Sequence, residues 1–302
     1  MPIIFNSDIK KASAHDEVLR KLRRFLDASE PELVHWLVHI WNTQARAITY
    51  KELRESILAG TLAADVLMDW QQDYSKFVVN YMLPAWTLAM EESTKQLSRR
   101  YPTFAFDATT YGVKQWIDTK AASFVTNCTM DQINAINAVV GRAAVIQDMT
   151  VDGLARAIRP MVGLTKQQAE ANLRYYTSLV ERGISEKAAL DKSIRYSARQ
   201  HRYRGYNIAR TELAFAYNKG EHFAVQQAIS EGYMGHTVKV WCTADDERVC
   251  PICGALEGKE IEMDADFDFR TKLERNNPGI KMTPPAHPSC RCTILYKEVS
   301  PP

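Results

Sequence analysis

TADDERVCPICGALEG, residues 243–258, is followed after a charged linker by PPAHPSCRC, residues 284–292. Cys250 and Cys253 are two residues apart, the spacing of a tight turn that aims two thiolates at one ion. Pro251 stiffens that turn, and Gly254 is free to take a positive φ there. The second stretch supplies His287, Cys290 and Cys292, with 33 residues between Cys253 and His287. Zn²⁺ takes four nitrogen or sulfur ligands in a tetrahedron, so two remote pairs closing on one ion would tie off the long loop between them. That loop includes DADFDFRTKLERNNPGIKM (residues 264–282), which has few core formers after Phe269. Burial alone would order it poorly, and a metal would supply what the core cannot.

There are five candidate ligands for four places: Cys250, Cys253 and His287, with Cys290 or Cys292 as the fourth. Both of the last two would face one side of an extended strand. Cys242, next to Trp241, reads as a small buried strand residue, and Cys128 is isolated and structural. Five of the six cysteines fall in the last 61 residues. In a reducing compartment such clustering favours metal over disulfides, and a redox pair would need a thioredoxin-like setting that this sequence lacks.

Working outward, His236 marks a change of texture. TVKVWC (residues 237–242) alternates like a strand, with Val238 and Val240 on one side. Everything before it reads as helix. Leu33, Trp36, Leu37, Ile40 and Trp41 fall on one helical face. Ser29 and Glu32 have capping-box spacing, with Pro31 in the first turn, and Thr49 with Glu52 and Thr129 with Gln132 repeat it. Gly60, Gly163 and Gly183 stand where helices stop, and Thr165 and Ser185 where new ones start. Residues 65–98 read as one longer helix kinked at Pro84. The expected class is α+β: predominantly helical, with a small C-terminal mixed α/β zinc-stabilised lobe. The expected division is an N-terminal helical region over 1–100, a second helical part over 101–235, and the strand-containing zinc-binding lobe over 236–302.

Composition bounds the function. The 302 residues are 46% hydrophobic and 25% charged, with a net charge of +2, which is globular and argues against a generic polyanion binder. The first apolar run, Pro2 to Phe5, is too short for a signal-peptide core, and Leu33 to Trp41 falls well short of the ~20 residues of a membrane span. The expectation is a non-membrane protein made in the cytosol. His35 and His39 sit four residues apart on a helix, but without a third ligand they read as two half-buried polar groups beside the tryptophan face. IRYSARQHRYRGYNIAR (residues 194–210) interleaves arginines with tyrosines and has no acid. Arg195, Arg199, Arg202 and Arg204 therefore form a candidate nucleic-acid patch, against the alternatives of a solvated helix face or a protein interface.

Several of these residues occur in a familiar order: Ala209-Arg210-Thr211-Glu212 as a helix start, the Trp241 strand, Asp246-Glu247-Arg248-Val249-Cys250 with Cys253, Gly258, and Pro284 through Cys292. In that order they resemble the phage Mu F-like head morphogenesis family, minor head proteins of tailed bacteriophages. The resemblance covers roughly residues 100–298. It implies a virion protein of the head interior near the portal, made in the host cytoplasm, with a structural and non-enzymatic role. It also implies the phage portal protein as partner, with the major capsid or scaffolding protein and packaged DNA as further candidates, and no membrane. Arg210 and Glu212 are expected to form a buried network tying the preceding helices to the lobe. The alternatives are a zinc-stabilised nuclease of the HNH kind, with His236, Asp245 and Asp246 near the metal, and a stand-alone DNA-binding protein.

Overall fold

The computed structural model describes residues 13–143, 150–244, 246–270 and 280–299. It is 71% helical, with one small antiparallel sheet in the C-terminal region. The helices are α1 (Ala14–Ala47), α2 (Tyr50–Ala59), α3 (Ala64–Phe77), α4 (Leu83–Arg100), α5 (Tyr111–Ala143), α6 (Val151–Ile158), α7 (Lys166–Glu181), α8 (Glu186–Ser230) and the single turn α9 (Pro251–Gly254). The strands are β1 (Thr237–Cys242), β2 (Glu260–Glu262) and β3 (Thr293–Glu298), in the order β2-β1-β3. Val240 pairs with Glu260 on one side and with Leu295 on the other. The chain divides into two compact units. One comprises residues 1–28, 89–107 and 214–302, and the other residues 29–88 and 108–213.

Local signals explain most boundaries. Thr49 caps α2 with Glu52 reciprocating, and Gly60 ends it at φ 74°. Thr165 and Gln168 box the start of α7, and Gly183 follows its end at φ 80°. Three expected starts are absent. Helix α1 runs unbroken through Pro31, because buried side chains at Leu33, Val34 and Leu37 continue the apolar period of Leu22, Phe25 and Leu26. Thr129 lies inside α5, and Gln132 is spent on Tyr74 and Gln44 rather than on a cap. Likewise Ala209–Glu212 is the middle of α8, not a helix start. Before Pro84 the helix widens into a π turn, Val78–Met82, in which the Leu83 N–H reaches back to the Val78 carbonyl. The wider turn makes room for a ring that would strike the carbonyl four residues back.

The larger unit packs Trp70, Ile136, Val140, Ile158 and Leu173 from α3, α5, α6 and α7 into one core. Gly163, at φ 86°, lets the chain turn against Trp41, whose Cγ would lie 2.3 Å from any added Cβ. In the other unit the sheet carries Trp241 against Phe267 and Phe269, with ring centroids 5.0 and 5.8 Å away, beside Cys253, Cys290 and Cys292.

Candidate metal centre

Cys250 is the N-cap of α9. Its Sγ accepts the Cys253 N–H at 3.3 Å, which sets two thiols on one side of a single helical turn. Gly254 is helical, and the positive φ falls instead at Gly258 (68°), where the chain turns toward β2. The partner segment reverses at Ser289, a left-handed residue at φ 58°, and the Cys290 N–H closes the turn on the His287 carbonyl at 3.2 Å. These two turns converge. His287 Nε2 lies 3.2 Å from Cys250 Sγ and 3.3 Å from Cys253 Sγ, and Cys253 Sγ lies 3.7 Å from Cys290 Sγ.

Tetrahedral zinc with Zn–S of about 2.3 Å and Zn–N of about 2.0 Å implies ligand edges of about 3.8 Å (S to S) and about 3.5 Å (S to N). The observed edges fit that frame. The residues form two triads that share Cys253: Cys250-Cys253-His287 and Cys253-Cys290-Cys292, each with ligand atoms within 4.8 Å of one another. Among the described residues these are the groups close enough to share an ion. All six cysteines are free thiols. A Cys3His cluster that could bind a metal is therefore present.

Its electrostatics are divided: bonds to Cys290 and burial push the Cys253 and Cys292 thiols up, while the other three groups shift toward their charged forms. The bond with Cys290 pushes the His287 imidazole up to about 9 against the effect of burial. Bonds from Cys253, Cys292 and His287 hold the Cys290 thiol well below its ordinary range despite burial. At Cys250 burial opposes ionisation, but the N–H groups of Cys253 and Ile252 and the nearby His287 outweigh it and lower the thiol. Around the centre, Arg291 grips Asp246 with both guanidinium nitrogens at 2.6 Å, tying the turn before Cys250 to the segment between Cys290 and Cys292. Sequence reading missed that clamp, although the DERVC and CRC runs contained both partners.

The other expected residues fall elsewhere. His35 and His39 are exposed and stack at 6.4 Å, and neither joins a metal-binding group. Arg195, Arg199 and Arg202 are exposed on α8. Arg204 is not with them: it is 4% exposed, bonds the Gly163 carbonyl at 2.5 Å and Asp131 at 3.0 Å, and lies over Trp41. Arg210 holds Glu30 through two bonds of 2.6 and 2.8 Å, and Glu212 meets Lys120 at 3.2 Å. These two ties reach α1 and α5 and stay inside the larger unit. Of the acids and bases considered for a nuclease, Asp246 is engaged by Arg291 and Arg248, and His236 by Glu262 at 2.8 Å. Asp245 lies outside the described residues.

The model of the family described as phage Mu protein F like protein matches residues 140–295, just over half of the chain and all five candidate ligands. The chain belongs to that family. No curated protein and no solved structure matches it. The Mu F-like family is one of structural head proteins, so the chain is a phage head-morphogenesis protein and a component of the virion. Membership implies interaction with other head components. Among the described residues no helix of this Mu F-like protein is long and apolar enough to cross a membrane.

Proposed function

We propose that this Mu F-like protein is a minor head protein that docks at the portal vertex, with its C-terminal lobe clamped by one structural zinc ion. Cys250, Cys253, His287 and Cys290 would hold the ion. The single observation behind this is that His287 Nε2 lies at tetrahedral edge lengths from the Cys250 and Cys253 thiols, with the Cys290 thiol at such a length from Cys253. Cys290 is preferred over Cys292 because its thiol lies 3.7 Å from Cys253 and also bonds the His287 ring. Cys292 approaches only the far side of the cluster, through Cys253 and Cys290. Bound zinc would supply cross-linking free energy, and the chain's own contribution is to pre-place two turns, braced by the Asp246–Arg291 pair.

Metal analysis of the purified protein tests the ion. One zinc per chain is expected, lost in Cys250→Ser and Cys290→Ser and kept in Cys292→Ser. A metal-free lobe that still resists protease would overturn the clamp. Docking is tested separately by pull-down against the portal protein encoded by the neighbouring gene. Retention of the portal protein by the zinc-loaded chain is expected, and its absence would remove the portal assignment without touching the metal site.

A further inference from the structure

In the unit that carries the sheet, a cavity of about 90 Å³ lies between α1, α4, α8 and β3. That is room for several waters or for one short alkyl chain. Much of its wall is apolar, with Val18, Leu97, Val225 and Leu295 among the lining residues. One side chain breaks the pattern. Glu221, half-buried on α8, lines the cavity, and among the described residues no hydrogen bond reaches its carboxylate. The nearby cations are spent elsewhere. Lys21 Nζ bonds Glu17 and Gln96, and acts on Glu221 only through space. Arg100 pairs with Glu298. Burial pushes the Glu221 carboxyl up to about 8, with Lys21 opposing, as befits an acid with no bonded partner.

The buried hydroxyls of the cavity add to the same character. Ser93 and Thr94 line it, and their protons are already donated to the Met90 carbonyl at 2.7 Å and the Glu91 carbonyl at 2.9 Å. What they still offer is lone pairs. Glu221, Ser93 and Thr94 thus give acceptors without a free donor, while Gln96 and Arg100, the exposed members of the lining, mark the mouth. From this we infer that the cavity takes a primary ammonium group on an unbranched aliphatic stem. An ammonium carries three donors and no acceptor, which matches the three side chains in number, and the apolar wall covers the methylenes. A divalent metal ion fits less well, because calcium takes six to eight oxygens and magnesium demands a near-ideal octahedron. An anion would meet an unpaired carboxylate. Both a free alkylamine and a lysine side chain present the required group. The cavity shares no residue with the Cys3His cluster, so its occupancy is independent of the metal.

Isothermal titration of the full chain with n-butylamine at about pH 8.5 tests this, since Glu221 is then mostly ionised and the amine still protonated. Saturable binding is expected, at least about tenfold weaker in Glu221→Gln and several-fold weaker in Thr94→Val, which removes one hydroxyl and keeps the shape. n-Butanol, with the same stem and no charge, should bind at least about tenfold more weakly than the amine. Glu221→Gln replaces an acid with no bonded partner, so its Tm should equal or exceed the parent's, which keeps lost binding distinct from lost folding. Nα-acetyl-lysine methylamide separates the two sources. Binding as tight as that of n-butylamine assigns the cavity to a lysine side chain, and binding at least about tenfold weaker assigns it to a free amine. Four results would overturn the inference: no saturable n-butylamine binding, equal binding by a folded Glu221→Gln chain, n-butanol binding as tightly as the amine, or a Glu221→Gln chain that melts below the parent because the carboxylate had a structural partner.

Discussion

Lys239 sits at the centre of the sheet with no solvent exposure, yet it is an ammonium group. Its Nζ donates to the carbonyls of Ala265, at 2.7 Å, and Met282, at 3.2 Å, and lies over the Phe267 ring. Burial, with the repulsion of Lys219, pulls it down to about 8, and Asp266 and Asp264 oppose that. One side chain thus pins the described residues on either side of 271–279 to β1. Lys239→Met keeps the volume and strands two carbonyls. A loss of about 2–4 kcal/mol is expected in urea unfolding, with new protease cuts near Ala265 and Met282. The alternation of TVKVWC hid this role: it located Val238 and Val240 correctly, but all six residues of β1 are buried, because the strand is central and its second face is covered. His201 is a second buried base. Its Nε2 lies 2.8 Å from the Val162 carbonyl, and burial, aided by Arg204, lowers it to about 4 despite that bond. The folded state therefore binds fewer protons than the unfolded chain between pH 4 and 6.5. Stability should fall as pH drops through that window, by up to about 3 kcal/mol, and level off below it. His201→Gln should flatten the fall, and denaturant melts across pH would show whether it does.

Helices made the most legible elements and also the most misleading ones. The caps at Thr49 and Thr165 and the stops at Gly60 and Gly183 were readable because each is a local bargain between a side chain and an exposed backbone group. Pro31 and Thr129 misled because tertiary burial outweighed an equally good local signal. The partners of Arg204, Arg210 and Glu212 were illegible for another reason: Asp131, Glu30 and Lys120 lie 73 or more residues away. The candidate metal ligands were readable across a gap of 33 residues because thiol spacing is itself a geometric constraint. One close approach between elements was not foreseen. Gly220 on α8 abuts α4 so tightly that an added Cβ would lie 2.5 Å from the Met90 Cα, a backbone atom that cannot swing aside. Gly220→Ala should cost about 1–3 kcal/mol even though Ala favours helix, measurable as a lowered Tm. An unchanged Tm would mean that α4 and α8 can part freely.

At the scale of the molecule, the Cys3His cluster lies wholly in the smaller unit, where Trp241, Phe267, Phe269 and Ile294 form a compact apolar patch beside it. Stripping metal with a chelator should therefore open protease sites between about residues 243 and 292 while leaving most far-UV helical signal, since the helical core of the larger unit contains none of the ligands. Uniform loss of helix on chelation would contradict a clamp of local reach.

The smaller unit is assembled from three separated stretches, 1–28, 89–107 and 214–302. A ribosome releases its first two pieces long before the third exists. Leu22, Phe25 and Phe104 must wait for Tyr217, Val225 and their neighbours before that unit can close. A nascent chain halted before residue 214 would display those waiting apolar faces as bait for aggregation or for a holdase chaperone, and a gene fragment cut there would inherit the same defect.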